Sequence, residues 1–184
     1  LPWKGDARLT VTQGCEGALA LRIPAWCQSQ YALTLNGRPI APEMRDWYAV
    51  LRRDWQAGDT LVADFAMAVK VMAANPHVRD NIGKVAVTRG PIVFCLEEAD
   101  NGAELHRLRL PRGAAFTETF RNDLLDGVMV LTAQGETLAA DWDDSTLYGD
   151  ASGEGYAPKQ LTFIPYYAWA NRAEGEMLVW VHQG

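Results

Sequence analysis

The sequence predicts an all-β protein built from two antiparallel β-sandwich (jelly-roll-like) domains in tandem. Short apolar or alternating segments recur about every 8–12 residues, as the strands of sandwiches do. Gly, Pro and Asn-Gly steps separate these segments and mark turns. No segment has a convincing helical period. A polar stretch near residue 101 indicates the boundary, so we expect the two domains to span residues 1–101 and 102–184.

Alternation of apolar and polar residues places the strands of the first domain. The strands predicted there are residues 9–13, 18–23, 31–35, 47–51 and 60–74. The first two are expected to pair as a hairpin, and Asn36-Gly37 is the dipeptide most typical of a second hairpin. The last segment also places several apolar side chains on one helical face, but the turn before it favours a strand.

The fold is expected to be organised around residues 84–97, where two buried strands, 85–87 and 92–96, flank Gly90-Pro91. Pro91 cannot donate a ladder hydrogen bond and Gly90 tolerates positive φ. The pair therefore predicts a bulge or sharp bend where one long strand changes sheet. Arg89, just before the bend, is either a solvated arginine at a strand end or a buried arginine that links two elements.

The second domain is predicted from shorter and less regular segments. Its strands are expected at residues 108–110, 115–120, 128–132, 160–169 and 177–182. The last two should form a hairpin, and Asp126-Gly127 and Gln134-Gly135 should be turns. Residues 141–155 should form a long acidic loop.

Two long motifs carry a resemblance to a known family. The first runs over residues 75–97 with Asp100-Asn101, and the second covers residues 165–172 and is followed by 174–180. In this order they resemble the C-terminal part of glycoside hydrolase family 127, the bacterial β-L-arabinofuranosidases and their relatives. The resemblance spans nearly all of the chain. It implies a piece of a longer enzyme whose catalytic helical barrel lies upstream, and a start at Leu1 without an initiator Met agrees with this.

The resemblance implies that chemistry resides in the missing barrel, where the family has a nucleophilic cysteine, zinc-binding cysteines and a glutamate. None of these roles transfers to Cys15, Cys27 or Cys95. We therefore expect no cofactor in this chain, with a zinc site only in the catalytic domain. An odd number of cysteines without a Cys-x-x-Cys step predicts reduced thiols in a cytoplasmic bacterial protein.

The residues themselves predict no catalytic group and no metal site. Glu97 and Glu98 are neighbours on a strand and point to opposite faces. They cannot form the pair of carboxyl groups, roughly 5–9.5 Å apart, that most glycosidases use. Glu174 and Glu176 are expected in an exposed turn. The acidic run 141–144 departs from the EF-hand spacing for calcium.

Charge excludes two classes of partner. Residues 102–184 hold 6 basic and 12 acidic residues, which accounts for the whole net charge of -6. An acidic half argues against nucleic acid and against an anionic membrane, because phosphate binding needs clustered Lys and Arg. No stretch approaches the ~20 apolar residues of a membrane-spanning helix.

We expect the functional surface to be a contact surface. Arg89, Arg172, Tyr167 and Trp169 are the candidates for docking the chain's own N-terminal catalytic domain or a second subunit of a homodimer, because Tyr, Trp and Arg dominate such contacts. The alternative is a carbohydrate-binding module for arabinose-containing plant glycans, with Trp142 or Trp169 stacked on a sugar. An adhesive or receptor-type sandwich pair is disfavoured by the odd cysteine count and the missing secretion signal.

Overall fold

The computed structural model describes residues 3–27, 30–139, 145–151 and 155–184, and these ranges hold sixteen strands and only short helices. The all-β, antiparallel class is confirmed. The chain divides into two compact units, Leu1–Ala68 and Val69–Gly184.

The first unit is a two-sheet sandwich. Its strands are β1 (Asp6–Thr10), β2 (Cys15–Arg22), β3 (Tyr31–Leu35), β4 (Arg38–Pro39), β5 (Glu43–Arg45), β6 (Tyr48–Trp55) and β7 (Thr60–Phe65). One sheet has the order β1-β7-β3-β4 and the other has the order β2-β6-β5. Side chains from both sheets meet in one core, in which Leu33 on β3 and Phe65 on β7 pack with Ala49 on β6.

The Asn36-Gly37 hairpin is confirmed. Leu35 pairs with Arg38, and the two residues between them have φ values of 51° and 77°, which fit a two-residue turn of the kind Asn-Gly favours. The hairpin predicted between the first two strands is wrong. β1 pairs with β7 and β2 pairs with β6, so the two strands belong to different sheets. Val11 follows β1 and makes backbone hydrogen bonds of 2.8 Å with Gly58 and Asp59, which precede β7. The β1–β2 connection and the β6–β7 connection, which both cross between the sheets, therefore lie side by side.

The second unit contains nine strands joined in one sheet, where the sequence led us to expect separate sheets. They are β8 (Val69–Ala73), β9 (Lys84–Arg89), β10 (Ile92–Glu97), β11 (Leu108–Leu110), β12 (Phe116–Arg121), β13 (Val128–Leu138), β14 (Tyr156–Pro165), β15 (Met177–Leu178) and β16 (Val181–Gln183). The order is β15-β10-β14-β13-β11-β16-β9-β8, with β12 beside β13. Because β9 also pairs with β10, six of these strands close into a ring.

Residues 84–97 form a hairpin, and the predicted bend between sheets is wrong. Ile92 pairs with Arg89, which leaves Gly90 and Pro91 as a two-residue turn. Gly90 takes φ 55°, a conformation that glycine adopts without strain. Pro91 lies in the turn, where its missing N–H costs no ladder hydrogen bond. As predicted, the stretch supplies core residues, and Phe94 is fully buried.

The boundary between the units differs from the predicted one. The segment 60–74 is extended, as predicted, but it consists of β7 and β8, and the division falls between Ala68 and Val69. The position near residue 101 lies inside the second unit. The reason is non-local pairing: Cys95 on β10 pairs with Ile164, and Val85 on β9 pairs with Val181.

The terminal strands also depart from the predicted hairpin. β14 pairs with β13 and β10, whereas β15 pairs with β10 and β16 pairs with β9 and β11. The step Gln134-Gly135, predicted as a turn, lies inside β13. Gly135 is needed there because a Cβ atom would overlap the side chain of Leu161 and come within 3.0 Å of the carbonyl oxygen of Arg109.

Replacing Gly135 with alanine is therefore expected to lower the free energy of unfolding by about 1–3 kcal/mol, the usual cost of overpacking. Urea denaturation followed by circular dichroism measures the change. Gly17→Ala is the matched control, because Gly17 also lies in a strand and a Cβ there meets no atom within 4 Å. Equal effects of the two substitutions on the free energy of unfolding would show that close packing is not the reason why glycine occupies position 135.

Candidate functional site

One corner of the second unit gathers most of the residues singled out from the sequence. There β10 ends at Glu97 and the short helix α1 (Glu98–Asn101) begins. β14 ends beside it at Pro165, and a 3-10 helix (Tyr166–Ala168) follows. The chain then continues through residues 169–176 to β15. We call this region the β10–α1 corner.

A network of ion pairs fixes the β10–α1 corner. Arg172 donates from Nε to Oε2 of Glu97 at 3.1 Å and from Nη1 to Oδ1 of Asp100 at 2.9 Å. Its Nη2 contacts both carboxylates. Only 5% of Glu97 is exposed, and 19% of the Arg172 side chain. Hydrogen bonding to Asp100, opposed by desolvation and reinforced by Glu97, raises the pKa of the Arg172 guanidinium.

The same network holds the turn that carries Trp169. Oε1 of Glu97 accepts a hydrogen bond of 2.7 Å from the backbone N–H of Ala170. Ala170 has φ 60°, a left-handed conformation that non-glycine residues rarely adopt. The side chain of Asn171 donates to the carbonyl oxygens of Ala168 and Trp169, both at 3.1 Å. A buried carboxylate and a side-chain amide thus stabilise a strained turn.

A second set of contacts ties residues 174–176 to α1. The N–H of Glu176 donates to Oε2 of Glu98 at 2.9 Å, and the N–H of Glu98 donates to the carbonyl oxygen of Glu176 at 3.0 Å. Oε2 of Glu176 accepts from the N–H of Leu105 at 2.7 Å. Buried Asn101 bonds to both Glu97 and Thr162. The segment after Trp169 is therefore braced at several points.

A cleft of about 250 Å³ opens at the corner. Glu97, Glu98, Glu174 and Glu176 line it, with Trp169 on one wall. The carboxylate of Glu97 is fully used by Arg172 and Ala170, and Glu98 is used by Glu176. The prediction that the two glutamates lie on one strand and point to opposite faces is wrong, because β10 ends at Glu97, Glu98 begins α1, and both residues line the cleft. Because these carboxylates are already hydrogen-bonded, the arrangement is better suited to holding the backbone of the corner in place than to transferring protons.

The aromatic residues beside the cleft lie on the surface. Tyr167 is 59% exposed and Trp169 is 39% exposed. They do not lie on the predicted strand, because β14 ends at Pro165 and residues Tyr166–Ala168 turn as a 3-10 helix. The structure therefore brings Tyr167, Trp169 and Arg172 to one corner, with the arginine engaged inside the unit.

Arg89 has a different role from these residues. It is buried, and its Nε donates to Oε2 of Glu118 on β12 at 2.5 Å. Of the two alternatives predicted for Arg89, a solvated residue at a strand end and a buried residue that links two elements, the structure shows the second. Trp142 and the acidic run 141–144 lie outside the described residues.

The three thiols differ in their exposure. Cys15 is exposed, whereas Cys27 and Cys95 are buried, and none of the three forms a disulfide bond. Burial, followed by the negative charge of Glu97, raises the pKa of Cys95 to about 12. In the described ranges, no group of three or more His, Cys, Asp or Glu side chains is placed to hold a metal ion. The helices in the same ranges are too short to cross a bilayer.

Sequence reasoning missed the network that Glu97, Asp100 and Arg172 form. Glu97 was considered for catalysis and Arg172 for contact with a partner. The available signal was the placement of all three residues within the two long motifs, at 75–101 and 165–172. Opposite charges beside apolar strands are normally paired when they are buried.

The described residues define an all-β, antiparallel protein whose charged corner is an intramolecular ion-pair network. The chain belongs to glycoside hydrolase family 127. The family's C-terminal domain matches residues 69–182, and the β-L-arabinofuranosidase GH127 middle domain matches residues 1–67. The junction of the two matches agrees with the division between Ala68 and Val69.

Individual relatives match along the whole chain. A non-reducing end β-L-arabinofuranosidase of Bifidobacterium longum subsp. longum is 39% identical over 192 residues, covering 97% of this chain and 28% of the relative. The crystal structure of a family 127 β-L-arabinofuranosidase from Geobacillus stearothermophilus T6 has a TM-score of 0.92 and 44% identity, over 100% of this chain and 29% of that one. A second GH127 β-arabinofuranosidase structure has a TM-score of 0.87 and 34% identity, over 100% and 30%. This chain thus spans less than a third of each relative.

Proposed function

We propose that this chain is the non-catalytic accessory region of a family 127 glycoside hydrolase. It packs on the enzyme's own N-terminal helical-barrel catalytic domain, mediates a homodimer, or does both. The observation that carries the proposal is the braced turn at the β10–α1 corner. It presents Tyr167 and Trp169 to solvent while its carboxylates are occupied within the unit.

Bracing matters because a contact surface binds more tightly when its anchor residues are already ordered. Glu97 holds the backbone at Ala170, and Arg172 holds Glu97. Little backbone freedom is then left to lose when Trp169 meets a partner. Tyr and Trp are also the residue types that most often anchor protein interfaces.

The names of the relatives support the activity of the complete enzyme. The family domains, the Bifidobacterium relative and the Geobacillus structure all support a parent with β-L-arabinofuranosidase activity. In this proposal the parent releases L-arabinofuranose from plant-derived glycans or glycopeptides. The nucleophile and the zinc site belong to the catalytic domain in this proposal. A bacterial cytoplasmic location is part of this proposal, and the odd number of cysteines without a Cys-x-x-Cys step supports it.

The isolated chain is expected to self-associate with rising concentration, because the exposed aromatic turn lacks its proper partner. Static light scattering across a concentration series measures this. A Tyr167→Ser, Trp169→Ser double variant should shift the series toward monomer. Tyr148→Ser is the control, because Tyr148 is also highly exposed but lies outside the corner. A wild-type chain that remains monomeric at high concentration would count against the docking role.

The second candidate function is a carbohydrate-binding module. Trp169 on the wall of a cleft lined with carboxylates favours it, since rings stack on sugars and carboxylates accept hydroxyl hydrogen bonds. Affinity electrophoresis in arabinan and arabinoxylan separates the two functions. An accessory scaffold should migrate as in a gel without polysaccharide. Retardation that Trp169→Ala abolishes would favour the binding module.

A further inference from the structure

The chain contains two Asn-Gly steps, Asn36-Gly37 and Asn101-Gly102. In such a step the asparagine side chain can react with the following backbone nitrogen, because glycine has no side chain to hinder the approach. Both steps have a glycine with positive φ, at 77° for Gly37 and 79° for Gly102. The two asparagines differ in what holds their side-chain amides.

Asn101 is held by backbone groups in the interior. It is 2% exposed, and its Nδ2 donates to the carbonyl oxygens of Glu97 and Thr162, both at 2.9 Å. Its Oδ1 accepts from the N–H of Thr162 at 2.9 Å. No single side-chain substitution removes these three bonds.

Asn36 is exposed, and its side-chain amide is held by one side chain and one backbone group. Its Nδ2 donates to Oδ1 of Asp59 at 2.7 Å, and its Oδ1 accepts from the N–H of Thr60 at 2.8 Å. Asp59 is itself 7% exposed and accepts from the N–H of Gln56 at 3.0 Å. Hydrogen bonding by Asn36, then by Gln56, lowers the pKa of the Asp59 carboxyl, so Asp59 remains a charged acceptor at neutral pH.

We propose that Asn36 is a latent deamidation site, kept unreacted in the folded protein by the Asp59 carboxylate and the Thr60 N–H. In the reaction the backbone nitrogen of Gly37 loses its proton to hydroxide and attacks Cγ of Asn36. The new N–C bond closes a succinimide ring and the bond from Cγ to Nδ2 breaks. The departing Nδ2 takes a proton from water and leaves as ammonia, which regenerates the hydroxide. Water then opens the ring to aspartate or isoaspartate.

The two hydrogen bonds oppose this reaction directly. The amide of Asn36 must rotate and its carbon must become tetrahedral, so both bonds have to break before the ring can close. The left-handed backbone of Asn36, with φ 51°, is also fixed by the hydrogen bond from its N–H to the carbonyl oxygen of Thr60 at 2.9 Å. The same contacts that form the hairpin turn therefore protect the amide.

Deamidation would also change the structure around position 36 permanently. An aspartate at position 36 lacks the Nδ2 donor and places a second negative charge where Asp59 now accepts a hydrogen bond. Isoaspartate adds a backbone carbon to a turn that has room for two residues between Leu35 and Arg38. Either product loses the hydrogen bond to Asp59 that ties the turn after β3 to the residue before β7.

The test follows both sites by peptide mass spectrometry while the 184-residue chain is incubated at mildly alkaline pH and 37 °C. In the native wild type, neither Asn36 nor Asn101 should convert during the time in which the urea-unfolded chain converts at both. Asp59→Ala should accelerate conversion at Asn36 about tenfold or more, the scale of a lost charge-assisted hydrogen bond, and leave Asn101 unchanged. Asp64→Ala, on the exposed side of β7, is the matched control and should change neither rate.

Conversion of native Asn36 at the rate of the unfolded chain would overturn the proposal, as would an unchanged rate in Asp59→Ala. Asn36 and Asn101 lie in different units, so conversion at Asn101 does not report unfolding of the first unit. Amide hydrogen exchange in β2 and β6, which lie in the same unit as Asn36, shows whether Asp59→Ala is folded. If that variant is unfolded, the wild type is tested instead at urea concentrations below its unfolding transition. Release of Asn36 by a local opening predicts that its conversion depends less on urea than exchange in β2 and β6 does, because less surface is exposed. Equal urea dependence of the two processes would contradict the proposal.

Discussion

Replacing Arg172 with methionine is expected to lower the free energy of unfolding by about 3 kcal/mol, near the lower end for breaking a buried ion pair. The substitution keeps much of the side-chain length but leaves Glu97, which is almost fully buried, without its cation. The hydrogen bond from Glu97 to Ala170 would remain, yet it cannot compensate for the buried charge. Urea denaturation monitored by circular dichroism measures the loss.

Two further variants separate this effect from a general loss of charge. Arg121→Met removes an ion pair with Asp123 in which both side chains are largely exposed, and it should leave the free energy of unfolding nearly unchanged. A double variant, Glu97→Gln with Arg172→Met, should recover part of the stability, because no unpaired charge is then buried. If Arg172→Met and Arg121→Met were equally mild, the network would not be what braces the β10–α1 corner.

Cys95 is expected to react with a thiol reagent at least about a thousandfold more slowly than an ordinary cysteine in the native protein. Burial, with the charge of Glu97, raises its pKa from 9.0 to about 12, so the thiolate fraction falls by about three powers of ten. Full burial slows the reagent further. Exposed Cys15 is the internal control and should react at once, as detected by the chromophore that the reagent releases.

The same raised pKa makes stability depend on alkaline pH. The unfolded chain loses the Cys95 proton from about pH 9 upward, while the folded chain keeps it until about pH 12. Below pH 9 the folded and unfolded states both keep the Cys95 proton, so the contribution of Cys95 to the free energy of unfolding is complete there. It declines as the pH rises between these values, by about 1.4 kcal/mol per unit. Rapid labelling of Cys95 at neutral pH would contradict both expectations.

Local chemistry allowed the strands and one turn to be predicted. The alternating segments gave the all-β class, and Asn36-Gly37 gave the β3–β4 hairpin, because a two-residue turn depends on the conformations of its own residues. For Arg89 the sequence left two alternatives, a solvated side chain or a buried one that links two elements, and could not decide between them. Its partner Glu118 lies on another strand, and sequence spacing alone does not reveal such a contact.

Partners far apart in the sequence could not be predicted. The boundary was misplaced because β10 pairs with strands from the end of the chain, as Cys95 with Ile164 shows. The predicted terminal hairpin failed because β15 and β16 pair with β10 and β9. Similarly, the ion pair between Glu97 and Arg172 joins residues 75 positions apart. Only the two family motifs, which contain Glu97 and Arg172, indicated that these residues lie in one functional region.

The most direct measurement incubates the isolated chain with an aryl β-L-arabinofuranoside, with a complete family 127 enzyme as positive control. We expect no release of the aryl group above buffer at any chain concentration, because Glu97 and Glu98 are hydrogen-bonded to structural partners and Cys95 stays protonated. Turnover by the isolated chain, lost on substitution of one of these residues, would show that the chain is itself catalytic.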